Sequence, residues 1–126
     1  MRRESLSIVQ GAYSIHRLGP ASEIPKSVLS SSFYSIGKTD EELSIVCESS
    51  INVDSRKCDN GWSCLKINGI LFLHEVGILS GIASVLAAAK ISIYAFSTYD
   101  TSYVMVRSER LDAAVVALKA ANYQVT

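Results

Sequence analysis

The sequence lacks an excess of charge of either sign. Its 126 residues contain twelve Lys or Arg and twelve Asp or Glu, which cancel to a net charge of zero. No run of basic residues is longer than two, whereas surfaces that bind nucleic acid concentrate Lys and Arg. We therefore expect no nucleic-acid partner, and a neutral chain is free to self-associate.

Long hydrophobic runs are missing as well. The charge-free run from Val76 to Ala89 is shorter than the roughly 20 residues that a membrane-spanning helix needs. The basic start, Met1–Glu4, leads into a polar stretch without an apolar core or a cleavage site, so we expect no signal peptide. The odd number of cysteines, Cys47, Cys58 and Cys64, fits a reducing compartment. The sequence predicts a cytoplasmic protein with no membrane partner.

Groups that support catalysis are scarce. The two histidines, His16 and His74, lie in different halves of the chain, and the seven glycines form no phosphate-binding loop. The pair Cys58 and Cys64 is open to metal binding or a disulfide, but it has neither a second pair nor a neighbouring histidine. Buried or incidental thiols are the preferred interpretation. We predict no catalytic residue, no metal and no cofactor.

The C-terminal half carries a clear pattern of elements. Residues 64–73 begin with apolar–polar alternation and predict a strand. A helical spacing of apolar residues follows, and then two segments rich in strand formers, residues 91–98 and 102–107, flank a polar turn and predict a hairpin. A second helix comes next, with Ser108 as its predicted N-cap and Asn122 as its left-handed end. The two predicted apolar helix faces are Ile78, Leu79, Ile82, Leu86 and Ala89, and Leu111, Ala114, Val115, Leu118 and Ala121.

The order strand, helix, strand, strand, helix, strand predicts a fold class. The last strand is short, at residues 123–125, and two βαβ-like halves in this order give a ferredoxin-like α+β sandwich with an antiparallel sheet and both helices on one face. The N-terminal half resembles a rougher copy, with Gly11 as a candidate bulge, a short helix interrupted at Pro25, a hairpin, and a polar connection with one helical turn in residues 52–63. The sequence predicts two tandem modules, residues 1–62 and 63–126, of which the first is degenerate.

Four stretches resemble a known family in their order and spacing. They are Lys38–Glu48 (KTDEELSIVCE), the pair Gly61-Trp62, Asn68–Leu79 (NGILFLHEVGIL) and Ile91–Val106 (ISIYAFSTYDTSYVMV). Over nearly the whole chain, they resemble small proteins with two tandem ACT domains, which are related to the CASTOR-type amino-acid sensors. The resemblance implies a regulatory fold of two βαββαβ ACT modules that binds amino acids at module interfaces and has no catalytic residues. Three features depart from the family pattern: Ser102 replaces an acid, Lys90 replaces a glycine, and Glu75-Val76 replaces a small or hydroxylic pair before Gly77.

An amino-acid ligand needs N–H donors for its carboxylate and an acceptor for its ammonium group. The first N–H groups of a helix are unpaired, Gly77 has no side chain to block a carboxylate, and Asp100 is an acceptor for the ammonium group. Asp100 and Gly77 also suit an ordinary turn and a helix entry, so both interpretations stay open. With the contacts that the resemblance implies, the predicted ligand-binding residues are Ser44, Ile45 and Val46 in the first module, and His74, Glu75, Val76, Gly77, Ile78, Ser97, Thr98 and Asp100 in the second.

The sequence therefore predicts a non-catalytic regulatory protein. Its expected ligand is a small amino acid of unknown identity, bound at a module or subunit interface, and its signal is a conformational or association change. We expect a homodimer, because exposed sheet faces and edges need covering. The alternative is a ligand-free interaction or structural module that responds only to an unknown protein partner.

Overall fold

The computed structural model describes residues 4–69 and 76–126. Its contacts divide the chain into a discontinuous unit, Met1–Gln10 with Ser63–Thr126, and a continuous unit, Gly11–Trp62. The boundary between the two units is therefore crossed twice, after Gln10 and after Trp62. The assignment of residues 1–62 and 63–126 to two tandem modules stays a prediction. The elements are β1 (Ser5–Leu18), α1 (Lys26–Leu29), β2 (Tyr34–Lys38), β3 (Leu43–Glu48), β4 (Lys57–Ile67), α2 (Ile78–Ala88), β5 (Ile93–Ser97), β6 (Ser102–Arg107), a 3₁₀ turn (Ser108–Arg110), α3 (Leu111–Ala120) and β7 (Gln124–Val125).

The discontinuous unit contains the predicted order of elements, from β4 through α2, β5, β6 and α3 to β7. β5 and β6 form the predicted antiparallel hairpin, with Ser97 opposite Ser102 at the turn, and β6 lies next to β4. β7 pairs with the start of β1 in a parallel arrangement, with Leu6 opposite Val125. The fold is mixed α/β with antiparallel pairing and few helices, and this parallel pair is a departure from the predicted antiparallel sheet.

Both long helices of this unit pack on one core. The predicted apolar faces of α2 and α3 are confirmed, because their central residues are buried and their flanking residues are partly buried against the same cluster. Residues of the strands complete the cluster. Alternate residues of a strand lie on the same face of the sheet, so one set of them packs against the helices. The buried members are Leu6, Leu65, Ile67, Ile82, Leu86, Ile91, Val104, Val106, Ala114, Leu118, Tyr123 and Val125.

Among the described residues, two other than glycine have a left-handed backbone, and each follows a helix. Asn122 has φ of +73°, which confirms its predicted place at the end of α3. Lys90, at the position where the resemblance implies a glycine, has φ of +60° after α2. The chain therefore retains at Lys90 the backbone conformation that favours glycine, although the side chain differs.

The predicted N-cap role of Ser108 is wrong. Ser108 begins the 3₁₀ turn, and neither this turn nor α3 has a side-chain cap. Its hydroxyl instead lies 2.9 Å from the hydroxyl of Ser63 on β4. The side chain therefore links the helix entry to the neighbouring strand rather than to the helix backbone.

The continuous unit is a small sheet with one short helix. β3 pairs antiparallel with β1 on one side and with β2 on the other, and α1 begins directly after Pro25. The unit's core is formed by Val28, Leu43, Ile45, Cys47 and Val53. The helical turn predicted within residues 52–63 is wrong, because β4 already begins at Lys57. The residues of β4 up to Gly61 are exposed, so the hydrophobic alternation that predicts a strand is absent there.

Candidate functional site

The turn between β5 and β6 is built by its own hydroxyl groups. The Thr98 N–H donates to the Thr101 carbonyl at 2.8 Å, and the Thr98 hydroxyl donates to the same oxygen at 3.3 Å. The hydroxyls of Ser97 and Ser102 lie 2.6 Å apart across the hairpin. Ser97 and Thr98, both predicted to bind ligand, therefore already have partners within the turn.

Thr101 fixes the turn to the sheet. Its side chain is 5% exposed, and its hydroxyl donates to the Ile67 carbonyl at 2.7 Å. Ile67 is the last residue of β4, so the hairpin turn lies against the point where the chain leaves that strand. This bond positions the predicted site, and Thr101 is absent from the predicted ligand-binding residues.

Asp100 is the acidic residue of this turn. It is exposed, and among residues 4–69 and 76–126 its carboxylate has no hydrogen-bond or ion-pair partner. Its neighbour Tyr99 is 79% exposed. Asp100 therefore presents a carboxylate to solvent at a place that the Thr101–Ile67 bond holds in position.

The start of α2 offers the N–H groups of a first helical turn, which have no partner within the helix. Gly77 is the N-cap with φ of +84°, no side chain of the described residues caps the helix, and its first turn contains no acidic residue. No atom of residues 4–69 or 76–126 lies within 4 Å of where a Cβ of residue 77 would be, and the positive φ by itself favours glycine here. Val76 is 90% exposed, and Ile78 packs partly buried against the core. The predicted ligand contacts His74 and Glu75 lie outside the described residues.

The other three predicted contacts lie on β3 in the continuous unit. The side chains of Ile45 and Val46 are 0% and 2% exposed, and the Ser44 hydroxyl donates to the Glu42 carboxylate at 2.8 Å. β3 is paired on both sides over these residues. Their role in ligand binding stays a prediction.

A cleft in the continuous unit was not predicted. It has a volume of about 560 Å³ and is lined by Arg17, Leu18, Gly19, Ser22, Asp54, Ser55, Arg56 and Lys57. Its cationic residues come from two segments of the chain: the first contributes Arg17 alone, and the second contributes the adjacent pair Arg56 and Lys57. A sequence signal was present in the adjacent pair Arg56-Lys57, but nothing in the sequence brings this pair next to Arg17.

His16 has a partner that the sequence did not reveal. Its Nδ1 lies 2.7 Å from the hydroxyl of Ser55, a residue of the cleft. The ring is 5% exposed, and its buried Nε2 has no hydrogen-bond partner in the part of the chain that the structure describes. Burial lowers the pKa of His16 below its ordinary value, which favours the neutral ring.

The three cysteines are free thiols. Cys47 and Cys64 are buried, and Cys58 is exposed. Burial raises the pKa of Cys64 to about 12. Burial is also the main cause that raises the pKa of Cys47. The described residues contain no group of three or more His, Cys, Asp or Glu side chains that suits a metal ion, and no helix among them is long and apolar enough to span a membrane.

Comparisons with known proteins reveal related structures. A protein from Agobacterium tumefaciens, solved by a structural genomics consortium, is 36% identical; the match covers 100% of this chain and 94% of that chain with a TM-score of 0.90. An aspartate kinase from Clostridium acetobutylicum, an allosteric enzyme, is 15% identical over 89% of this chain and 33% of that chain, with a TM-score of 0.64. The regulatory subunit of aspartate kinase from Thermus thermophilus, in a ligand-free form, is 11% identical over 93% of this chain and 97% of that chain, with a TM-score of 0.63. The matched third of the Clostridium enzyme and the Thermus regulatory subunit share the fold of this chain.

Family models match two parts of the chain. A model of an N-terminal domain matches residues 11–53, and the ACT-domain model matches residues 57–120. No curated protein matches the chain. The tandem arrangement and the relation to CASTOR-type sensors stay predictions. Because the ACT model covers more than half of the 126 residues, the chain belongs to the ACT-domain family.

Proposed function

We propose that this protein is a non-catalytic regulator that binds a small amino acid and signals by a conformational or association change. The observation that carries the proposal is the β5–β6 turn of the ACT-matched segment. Thr101 fixes this turn to the end of β4 by a 2.7 Å hydrogen bond, and Asp100 presents a solvent-exposed carboxylate from it. A carboxylate held in place by the fold suits recognition of an ammonium group.

The ligand carboxylate is assigned to the start of α2. The first N–H groups of a helix carry partial positive charge and bind anions. Among the described residues, neither a side-chain cap nor an acidic residue of the first turn competes for them, and none places an atom within 4 Å of a Cβ at position 77. The proposed contacts are Val76, Gly77, Ile78, Ser97, Thr98 and Asp100, together with the predicted His74, Glu75, Ser44, Ile45 and Val46.

The signal is proposed to pass through a cytoplasmic homodimer. β5 is at one end of the strand order among the described strands, and an edge strand offers backbone groups to a second copy. The β5–β6 face away from the helices also carries aromatic residues, with Phe96 and Tyr103 stacked at 5.2 Å between ring centres. Ligand binding beside this hairpin would bias association in proportion to its differential affinity for the two states.

A thermal-shift panel of the twenty amino acids, followed by calorimetric titration, tests the proposal. We expect one or a few amino acids to raise the melting temperature, because a ligand that binds only the folded state stabilises it. The Asp100→Asn variant keeps the size of the side chain and removes its charge. Hydrogen bonds to charged groups contribute about 1.5–3 kcal/mol, so we expect affinity to fall by at least about tenfold.

The hairpin between β2 and β3 supplies a matched control. Asp40 lies exposed in that turn, so Asp40→Asn makes the same chemical change in the continuous unit. Affinity should be unchanged in this variant. If Asp100→Asn binds as tightly as the wild-type protein, or if both variants lose affinity equally, the assignment of the ammonium site is wrong.

The second candidate is a ligand-free interaction module. It is favoured by the hydroxyls of Ser97 and Thr98, which are already bonded within the turn and therefore offer less to a ligand. A flat panel at millimolar amino-acid concentrations would support this candidate. Sedimentation velocity over a range of protein concentrations, with and without amino acids, would then show whether self-association occurs and whether a ligand changes it.

A further inference from the structure

The cleft of the continuous unit concentrates positive charge in a chain of zero net charge. Arg17, Arg56 and Lys57 line it together with a single carboxylate, Asp54, which leaves a local net charge of +2. Within the described parts of the chain, the side chains of Arg56, Lys57 and Asp54 have no hydrogen-bond or ion-pair partner. The Arg17 guanidinium donates to the Glu41 carbonyl at 3.2 Å, which uses one of its five N–H donors. The cations of this cleft are therefore not neutralised by the protein.

Hydroxyl groups add further donors to the same cleft. Ser22 lies in a tight turn, closed by its N–H donating to the Gly19 carbonyl at 3.1 Å, and both residues line the cleft. Ser55 is 2.7 Å from Nδ1 of the buried His16. When the neutral imidazole carries its proton on Nδ1, it donates to Ser55, and the Ser55 hydroxyl proton remains available for a ligand in the cleft.

We propose that this cleft binds a small molecule that carries a phosphate monoester. A phosphate monoester has a charge of about −1.5 to −2 at neutral pH and three terminal oxygens, which complements a local charge of +2. Arginine matches phosphate oxygens through paired N–H donors, and lysine provides a point charge. Two hydroxyls and three cations supply more donors than the two oxygens of one carboxylate accept, so the donor set favours phosphate.

The size of the cleft indicates that the ligand has an organic part. Its volume of about 560 Å³ lies within the range of about 300–1,000 Å³ that is usual for small-molecule sites. Leu18 contributes an apolar wall, and Asp54 offers an acceptor for a hydroxyl or amino group. This inference is independent of the proposed amino-acid function, because every lining residue lies between Gly11 and Trp62.

Calorimetric titration and ³¹P NMR with glycerol phosphate test the inference directly. Inorganic phosphate tests the anionic part alone, and succinate tests a dicarboxylate of similar charge; the ionic strength is held constant with sodium chloride. We expect glycerol phosphate to bind more tightly than succinate. The Arg56→Gln/Lys57→Gln double variant should bind at least about tenfold more weakly, because hydrogen bonds to charged groups contribute about 1.5–3 kcal/mol each.

A second double variant controls for the change in net charge. Lys26 and Lys38 are exposed residues of the same unit outside the cleft, so Lys26→Gln/Lys38→Gln removes the same charge and should bind glycerol phosphate normally. Thermal midpoints of both variants close to the wild-type value would show that the fold is intact, as expected for surface substitutions. Three results would overturn the inference: no binding of glycerol phosphate at millimolar concentration, equal binding of succinate, or equal weakening in the two double variants.

Discussion

Removal of the Thr101 hydroxyl should destabilise the protein measurably. In Thr101→Val the side chain keeps its shape and loses its donor, and the Ile67 carbonyl loses the partner that now lies at 2.7 Å. This hydrogen bond is nearly closed to water, since Thr101 is 5% exposed. Loss of one partner of a buried hydrogen bond costs about 1–3 kcal/mol, because the other partner stays unsatisfied.

The size of the effect follows from this burial. The added methyl group recovers about 0.8 kcal/mol of hydrophobic free energy, so a central cost of about 2 kcal/mol becomes a net loss of about 1–2 kcal/mol. Unfolding entropy is about 2.1 cal/mol/K per residue, which is about 265 cal/mol/K for the 126 residues. The melting temperature should therefore fall by about 4–8 °C.

Differential scanning calorimetry of three variants checks this reasoning. Thr101→Ser keeps the hydroxyl and should recover most of the loss. Thr98→Val removes a hydroxyl from the same turn, but its bonds are long, at 3.3 and 3.4 Å, and Thr98 is exposed; its effect should stay within about 0.5 kcal/mol. If Thr101→Val and Thr98→Val melt at the same temperature, the bond to β4 does not hold the turn.

Three further predictions concern other parts of the structure. Lys90→Gly should raise the free energy of unfolding by about 0.5–1 kcal/mol in urea titrations, because it relieves a left-handed backbone, whereas Lys90→Ala should not. Burial lowers the pKa of His16, so its contribution to stability is full above the unfolded pKa of 6.5 and is lost as the pH falls from there towards the folded pKa. Between about pH 7 and about pH 5, the melting temperature of the wild-type protein should therefore fall more than that of His16→Gln. With a thiol reagent, native protein should label at Cys58, which is exposed, and not at Cys47 or Cys64, which are buried with raised pKa values; rapid labelling of Cys64 would contradict the burial.

The elements of residues 64–126 were predictable because their own side chains specify them. The spacing of Ile82 and Leu86 along α2, and of Ala114 and Leu118 along α3, places these residues in one core. The hairpin is local, so its turn residues and strand formers lie within one short window of sequence. Local patterns of this kind do not depend on the rest of the chain.

Features that depend on distant partners were not predictable from the sequence. The start of β1 has the composition of any strand, and nothing in Leu6 specifies a pairing with Val125. Lys57 to Gly61 are exposed, so backbone pairing rather than a hydrophobic pattern makes them a strand. The pairing partners of these strands are set by how the whole chain folds, and a short window of sequence does not contain that information.

The local positions of two candidate site residues were predictable for the same reason. Asp100 and Gly77 stand out in sequence because turns and helix entries favour these residue types. The role of Thr101 was hidden, since a threonine that bonds the Ile67 carbonyl has the same sequence context as a turn threonine exposed to water. Likewise, the cleft brings Arg17 and Arg56 together. Along the sequence, Arg17 is a single basic residue and Arg56 is part of a short basic pair, so neither stands out.

The parallel pairing of β1 with β7 joins two strands that the ribosome synthesises far apart in time. Backbone bonds join Ile8 to Thr126 and Thr126 to Leu6, and the hydroxyls of Ser7 and Thr126 lie 3.4 Å apart although they are 119 residues distant in sequence. The first strand is therefore synthesised long before its neighbour β7 leaves the exit tunnel. Until β7 has been synthesised, that side of β1 stays without its native partner, and an unpaired strand edge is open to pairing with other chains.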